Sequence, residues 1–164
     1  MPAAPAPKAL TEDEERTWRA LIRLMLTLPR AIDEDLSRRG GLSLTHYVVL
    51  MRLSEGPDAG LRMSDLAGAA ALSPSRMTRI VQAMLAEELV TRAAAPGDAR
   101  AALVRLTDRG LARLQEAWPA HLAGVRALVL DHLDPADLSD LERMVRRLLA
   151  AITAVVPESE AGCG

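Results

Sequence analysis

Residues 72–110 read LSPSRMTRIVQAMLAEELVTRAAAPGDARAALVRLTDRG, and the fold turns on them. Leu72-Ser73-Pro74 is a helix start. A serine oxygen accepts a backbone N–H left unbonded in the first turn, and the fixed φ of proline suits the first helical position. Over residues 74–88, Met77, Ile80, Val81, Met84 and Leu85 recur at helical spacing and predict a buried stripe. Ser75, Arg76, Arg79 and Gln82 fall on the other side, with Thr78 at its flank. Residues 89–93 and 101–106 read as strands on either side of Pro96-Gly97-Asp98, a turn signal, so a β-hairpin follows the helix directly. Thr107-Asp108 then caps a long helix that should reach about residue 133 and bend near Pro119.

Upstream, residues 60–63 form a short strand candidate, and Ser64 with Asp65 opens a two-turn helix over 66–71. Ser43 or Thr45 starts a helix through Tyr47, Leu50, Met51 and Leu53 that Gly56-Pro57 stops. The first helix begins at Thr11, followed by four acids in its positive first turn. It carries Trp18, Leu21, Ile22, Met25, Leu28, Ile32 and Leu36, meets a kink signal at Pro29, and ends at Gly40-Gly41. Downstream, Asp134-Pro135 starts a last helix that runs to Val156 and stops at Pro157. A short helix, a three-residue turn, a capped second helix and a hairpin make a winged helix-turn-helix. The fold class is mainly α: that unit plus long N- and C-terminal helices and a small β-hairpin wing.

Composition sets the outer bounds. The chain has 164 residues and 49% apolar side chains, which fits one globular domain. Its net charge of −2 gives no hint of a nucleic-acid partner. By segment the picture changes: residues 62–113 carry eight basic and five acidic side chains, residues 114–164 four and eight. A face that meets phosphate belongs in the basic middle. Only three aromatics occur, Trp18, Tyr47 and Trp118, which argues against stacking platforms for single strands. The start, residues 1–8, lacks the apolar run of a secretory signal, and no stretch is long enough to span a bilayer, so a cytoplasmic, nucleoid-associated location is expected. One cysteine, Cys163, leaves no disulfide framework, and its place beyond Pro157 is a poor one for redox control. His121 and His132, eleven apart on one predicted helix, would stand about 16 Å apart and cannot share an ion, so no metal and no cofactor are expected. No nucleophile–base pair, Walker motif or dinucleotide motif is present, and an enzyme is not expected.

A recognition helix must offer polar side chains near its N-terminus and bury its other face. Arg bridges guanine O6 and N7, and Ser or Gln bonds base edges or phosphate, so Ser75, Arg76, Arg79 and Gln82 are read as DNA-contacting. At the hairpin tip Asp98 would hold Arg100 for a narrow minor groove. Residues 72–110 resemble the winged core of the MarR family of bacterial transcriptional regulators, through Ser73, Ser75, Thr78 and Arg79, Leu89-Val90, Asp98-x-Arg100 and Leu106-Thr107-x-x-Gly110. Residues 47–67 resemble the helix, strand and helix before it. The resemblance implies DNA contacts at Ser73, Ser75, Thr78 and Arg79, a wing arginine at Arg100 and its orienting acid at Asp98. Pro74, Arg76 and Ala99 depart from the family's usual residues.

The resemblance also implies a homodimer that binds a pseudo-palindrome of double-stranded DNA, acts as a repressor, and is released by a small aromatic or phenolic ligand. Residues 10–41 and 108–156 would form the dimerisation layer, 42–107 the DNA-binding lobe, and 1–9 and 157–164 disordered or flexible tails. Leu138, Leu141, Val145, Leu148, Leu149, Ile152 and Val155 give the last helix an aliphatic surface that asks for a partner. Trp18, Arg19, His46 and Tyr47 are the candidate ligand pocket, although Trp18 equally fits an apolar core stripe and His46 a surface helix start. A different class of reading stays open: a winged helix that contacts only protein.

Overall fold

The computed structural model describes residues 8–155 apart from 59, 96 and 97; the side chains of 95, 98–101 and 155 also lie outside the description. Of the expected tails at 1–9 and 157–164, residues 1–7 and 157–164, Cys163 among them, lie outside the described residues. The order is α1 (Glu12–Gly40), α2 (Leu44–Glu55), β1 (Leu61–Arg62), α3 (Met63–Ala69), α4 (Pro74–Ala86), β2 (Val90–Ala95), β3 (Asp98–Leu106), α5 (Asp108–Leu128) and α6 (Pro135–Val155), with a 3-10 turn at Leu130–His132 before α6.

The helix starts are where the capping residues place them. Thr11 makes a full capping box with Glu14, and the Thr11 backbone N–H donates to the Glu14 carboxylate at 2.7 Å. Those bonds hold the Glu14 carboxyl below its ordinary range. Ser43, Ser73 and Thr107 cap α2, α4 and α5. Two helix ends use non-glycine residues in the left-handed region, Ala71 at φ +51 after α3 and Glu88 at φ +59 after α4. In both, the next residue's N–H reaches back five residues: Leu72 to the Ala67 carbonyl at 2.9 Å, and Leu89 to the Met84 carbonyl at 2.9 Å. The first motif makes the tight turn into α4. The second sends the chain into the hairpin.

Three antiparallel strands lie in the order β1-β3-β2. Val90 pairs with Leu106, Arg92 with Val104, and Leu61 with Val104 from the other side. One core holds Leu36 of α1, Tyr47, Val49 and Leu50 of α2, Leu66 of α3, Met77, Val81 and Met84 of α4, and Val90 and Val104 of the sheet. Leu114 and Ala117 of α5 close it. Asp35, the buried charged residue of α1, takes Arg38 and Arg39 on one oxygen at 2.8 and 2.9 Å.

Several sequence expectations need correction. α1 continues as helix through Pro29, and α5 through Pro119. α5 ends at Leu128, not near 133, so His132 sits in the 3-10 turn and bonds the Ala127 carbonyl at 2.9 Å through Nε2. The third helix starts at Met63 because β1 pairing ends at Arg62; the Ser64 hydroxyl turns to Asp65 at 3.2 Å instead of capping. The strands extend further into the turn, to Ala95 and from Asp98. Trp18 is not core within one chain but 51% exposed. Among the described residues no helix is long and apolar enough to cross a membrane.

Gly110 is where α5 meets the hairpin's first strand: a Cβ there would stand 2.0 Å from the Leu89 carbonyl oxygen. That oxygen already accepts the Thr107 hydroxyl at 3.0 Å, so it cannot move aside cheaply. Gly110→Ala should lose about 3 kcal/mol in chemical denaturation. Glu88→Gly, which relieves a left-handed side chain, should gain about 0.5–1 kcal/mol in the same assay.

Candidate nucleic-acid interface

α4 presents two faces of opposite character. Met77 and Met84 are fully buried and Val81 nearly so, while Ser75, Arg76, Thr78, Arg79 and Gln82 are all exposed. At 100° per residue Ser75, Arg79 and Gln82 form one stripe opposite the buried one, with Arg76 and Thr78 to either side. The hydroxyls differ in what they have left to offer. Ser73 Oγ accepts the Arg76 backbone N–H at 3.4 Å and lies 3.3 Å from Ser75 Oγ. Thr78 Oγ1 donates to the Pro74 carbonyl at 2.9 Å, which leaves it only acceptor capacity. The Arg76, Arg79 and Gln82 side chains make no hydrogen bond or ion pair within the described residues, so their donors are free for an outside acceptor.

The arginines divide by location. Along α1, α5 and α6, Arg16, Arg19, Arg38, Arg39, Arg126, Arg143 and Arg146 each pair with a carboxylate; Arg23, Arg30 and Arg147 do not. Around α4, Arg62, Arg76, Arg79 and Arg92 are all exposed and unpaired among the described residues. Sequence reasoning passed over Arg62 and Arg92. Arg62 directly precedes α3, and Arg92 lies in β2 on the sheet side of Val90 and Val104, the side that shares a core with α4. Their only signal was membership of the basic segment. The side chains of Asp98 and Arg100 lie outside the described residues; their backbone is in β3, opposite the end of β2.

A family model described as the MarR family matches residues 40–101. Sco3205 of Streptomyces coelicolor, a MarR family transcriptional regulator solved in complex with DNA, is 31% identical, with TM-score 0.84, over 91% of this chain and 93% of that one. AbsC of the same organism is 30% identical, with TM-score 0.81, over 90% of this chain and 99% of that one. The chain belongs to the MarR family of transcriptional regulators. The regulator MhqR of Bacillus subtilis (strain 168) is 25% identical over 114 residues, 66% of this chain and 77% of that protein. The protein is thus a DNA-binding transcriptional regulator in a family of regulators rather than enzymes. That sets aside the winged helix that contacts only protein.

The other candidate residues fall in two places. His46 and Tyr47 open α2, and Tyr47 is 1% exposed, stacked on His121 of α5 with ring centroids 4.1 Å apart. Trp118 stands 6.1 Å from His121. His46 Nδ1 bonds Ser43 Oγ at 2.6 Å, but His46 Nε2, Tyr47 Oη and His121 Nδ1 are buried without partners. Burial pushes the Tyr47 phenol up and the His121 imidazole down, so each favours its neutral form. Trp18 and Arg19 instead line a shallow apolar depression with Ile22 and Leu26 on α1. They lie about 27 Å along that helix from Leu36, where α1 joins the core, so one chain does not bring them to Tyr47. The contact of Tyr47 with His121 was not foreseen, because nothing local in α5 marks His121 as facing Tyr47. Among the described residues no three His, Cys, Asp or Glu gather as a metal site.

Arg79 and Arg143 differ in this setting: Arg79 is free, and Arg143 is paired with Asp140 at 2.8 Å on α6. Arg79→Ala should weaken operator binding by about tenfold or more, and Arg143→Ala should leave it within about twofold, in fluorescence anisotropy at fixed salt. Equal losses would remove α4 from the interface.

Proposed function

We propose that the protein is a homodimeric repressor that occupies a pseudo-palindromic operator and is released from it by a small aromatic or phenolic ligand. The observation that carries the dimer is α6. All of its described side chains are exposed, including Leu148 at 49%, Leu149 at 57% and Ile152 at 57%. Leu138, Leu141, Met144 and Val145 are also bare. On α1 and α5, Met25, Trp118 and Leu122 are exposed as well. A helix with an aliphatic stripe and no cover in its own chain is stable only against another surface. A second copy of the same helices supplies one by two-fold symmetry.

In this reading residues 10–41 and 108–156 form the dimerisation layer, and 42–107 form the DNA-binding lobe. Two lobes then present their α4 helices to successive major grooves about 34 Å apart. Ser73, Ser75, Arg76, Thr78, Arg79 and Gln82 meet the major groove, Asp98 and Arg100 the minor groove, and Arg62 and Arg92 the flanking phosphates. The site of action is the chromosomal DNA of the cytoplasm. Repression is the role that the family resemblance supports.

The dimer is tested by replacing the bare stripe. Leu148→Asp with Ile152→Asp should sediment at the single-chain mass of 17.6 kDa, where the unaltered protein sediments at twice that, and should lose operator binding. An unaltered protein that sediments as a monomer, or a double variant that stays dimeric, overturns the reading.

The ligand reading rests on the unpartnered polar atoms of Tyr47 and His121, whose rings stack between α2 and α5, and of His46, next to Tyr47 in the chain. Buried polar groups without partners are costly, and a small molecule with one ring and a few polar atoms would satisfy them. Titration with salicylate should quench tryptophan fluorescence and release operator DNA, and Tyr47→Phe should need several-fold more salicylate. Release that is unchanged in Tyr47→Phe would remove the site; no release by a panel of phenolic acids would remove the ligand class.

A further inference from the structure

The helical layer and the DNA-binding part of the chain are joined at two crossings. One is residues 41–43, between α1 and α2; the other is Thr107, between β3 and α5. Arg113 bridges them. It lies in the second turn of α5, and its Nη2 donates to the carbonyl of Gly40, the last residue of α1, at 2.6 Å. That carbonyl is among those a helix leaves unbonded at its C-terminus, where the backbone dipoles place partial negative charge. The chain then turns at Gly41 with φ +61, and a Cβ there would stand 3.0 Å from the same Nη2, so the guanidinium lies against the turn itself.

A Cβ on Gly40 would stand 3.4 Å from Ala120 Cβ and 3.6 Å from Ala117 Cα, so the two helices approach closely through small residues. Packing of this kind sets the range of crossing angles, and a directional bond at the helix end selects within it. Among the described residues this is the one side-chain hydrogen bond between α1 and α5. Its nearest competitor is the exposed Glu116 carboxylate at 3.7 Å. On the other side of the turn the Leu44 backbone N–H donates to Asp33 Oδ1 at 2.7 Å, which ties the start of α2 to α1. The end of α1 is therefore fixed to α2 through Asp33 and to α5 through Arg113.

We propose that Arg113 is a positioning residue: by holding the end of α1 to the start of α5 it sets the angle at which each DNA-binding lobe leaves the helical layer, and so the half-site spacing that the protein accepts. The proposal rests on the homodimer reading above. Arg113 touches no DNA in it. A small rotation at this junction carries α4 with it, because α4 shares one core with α1, α2 and α5, and two lobes that rotate independently lose register on one duplex.

The test uses the full chain and an operator recovered by genomic footprint selection. Three duplexes are compared by anisotropy: natural spacing, one base pair inserted between half-sites, and an isolated half-site. Thermal melts run alongside. The unaltered protein should favour the natural duplex over both others. Arg113→Ala should lose about tenfold on the natural duplex, keep its half-site affinity, and show a smaller penalty for the inserted base pair. Arg113→Lys, which keeps a donor within reach of the Gly40 carbonyl, should recover most of the discrimination. If Arg113→Ala melts below assay temperature, Arg113→Gln takes its place with the same expectations. Equal loss on full and half-sites, or discrimination that survives in Arg113→Ala, overturns the proposal. An unaltered protein that binds full and half-sites alike would instead overturn the homodimer reading on which it rests.

Discussion

The aliphatic contact of Met77, Val81 and Met84 with Val90 and Val104 is the constraint on which the rest depends. It holds α4 and the sheet as one body. Because Val90 and Val104 are paired through the β2–β3–β1 register, the angle of α4 is set by the sheet and not by α4 alone. The same burial turns Ser75, Arg79 and Gln82 outward. A helix packed this way has no freedom to rotate its polar stripe out of reach, and its free guanidinium groups are pre-organised for an outside acceptor.

Two left-handed residues, Ala71 and Glu88, bracket that helix. Each stores a small strain, and each lets the chain reverse within two residues at the end of a helix. The strain is offset by Leu72 and Leu89, which the reversals carry onto the core. Polar balance follows a similar division. Carboxylates neutralise most cations of the long helices, and none pairs with Arg62, Arg76, Arg79 or Arg92 among the described residues. The chain's overall charge is thus a poor guide to its partner, and the distribution of paired and unpaired charge is a better one.

Much of the fold was legible from local signals. Thr11, Ser43, Ser73 and Thr107 are caps by their chemistry and cap in fact. The stripe of α4 follows from period alone. Strand ends and the start of α3 were less legible, since pairing with β3 decides them and β3 is some 40 residues away from β1 in the chain. Trp18 shows the limit of a periodic pattern: it lies on an apolar stripe, yet one chain leaves it half exposed. A stripe says that a face is to be covered, and says nothing of what covers it.

Capping chemistry, hydrophobic period and the order of elements are properties of short stretches, and the sequence by itself determined the winged helix-turn-helix, its outward residues and the family it resembles. The tertiary structure alone decided which distant residues meet. Tyr47 finds His121 across 74 positions and Arg113 finds Gly40 across 73, and no local pattern in α5 distinguishes those side chains from their neighbours. Contacts of that kind depend on the relative placement of packed helices, which arises only once every buried face competes for the same core.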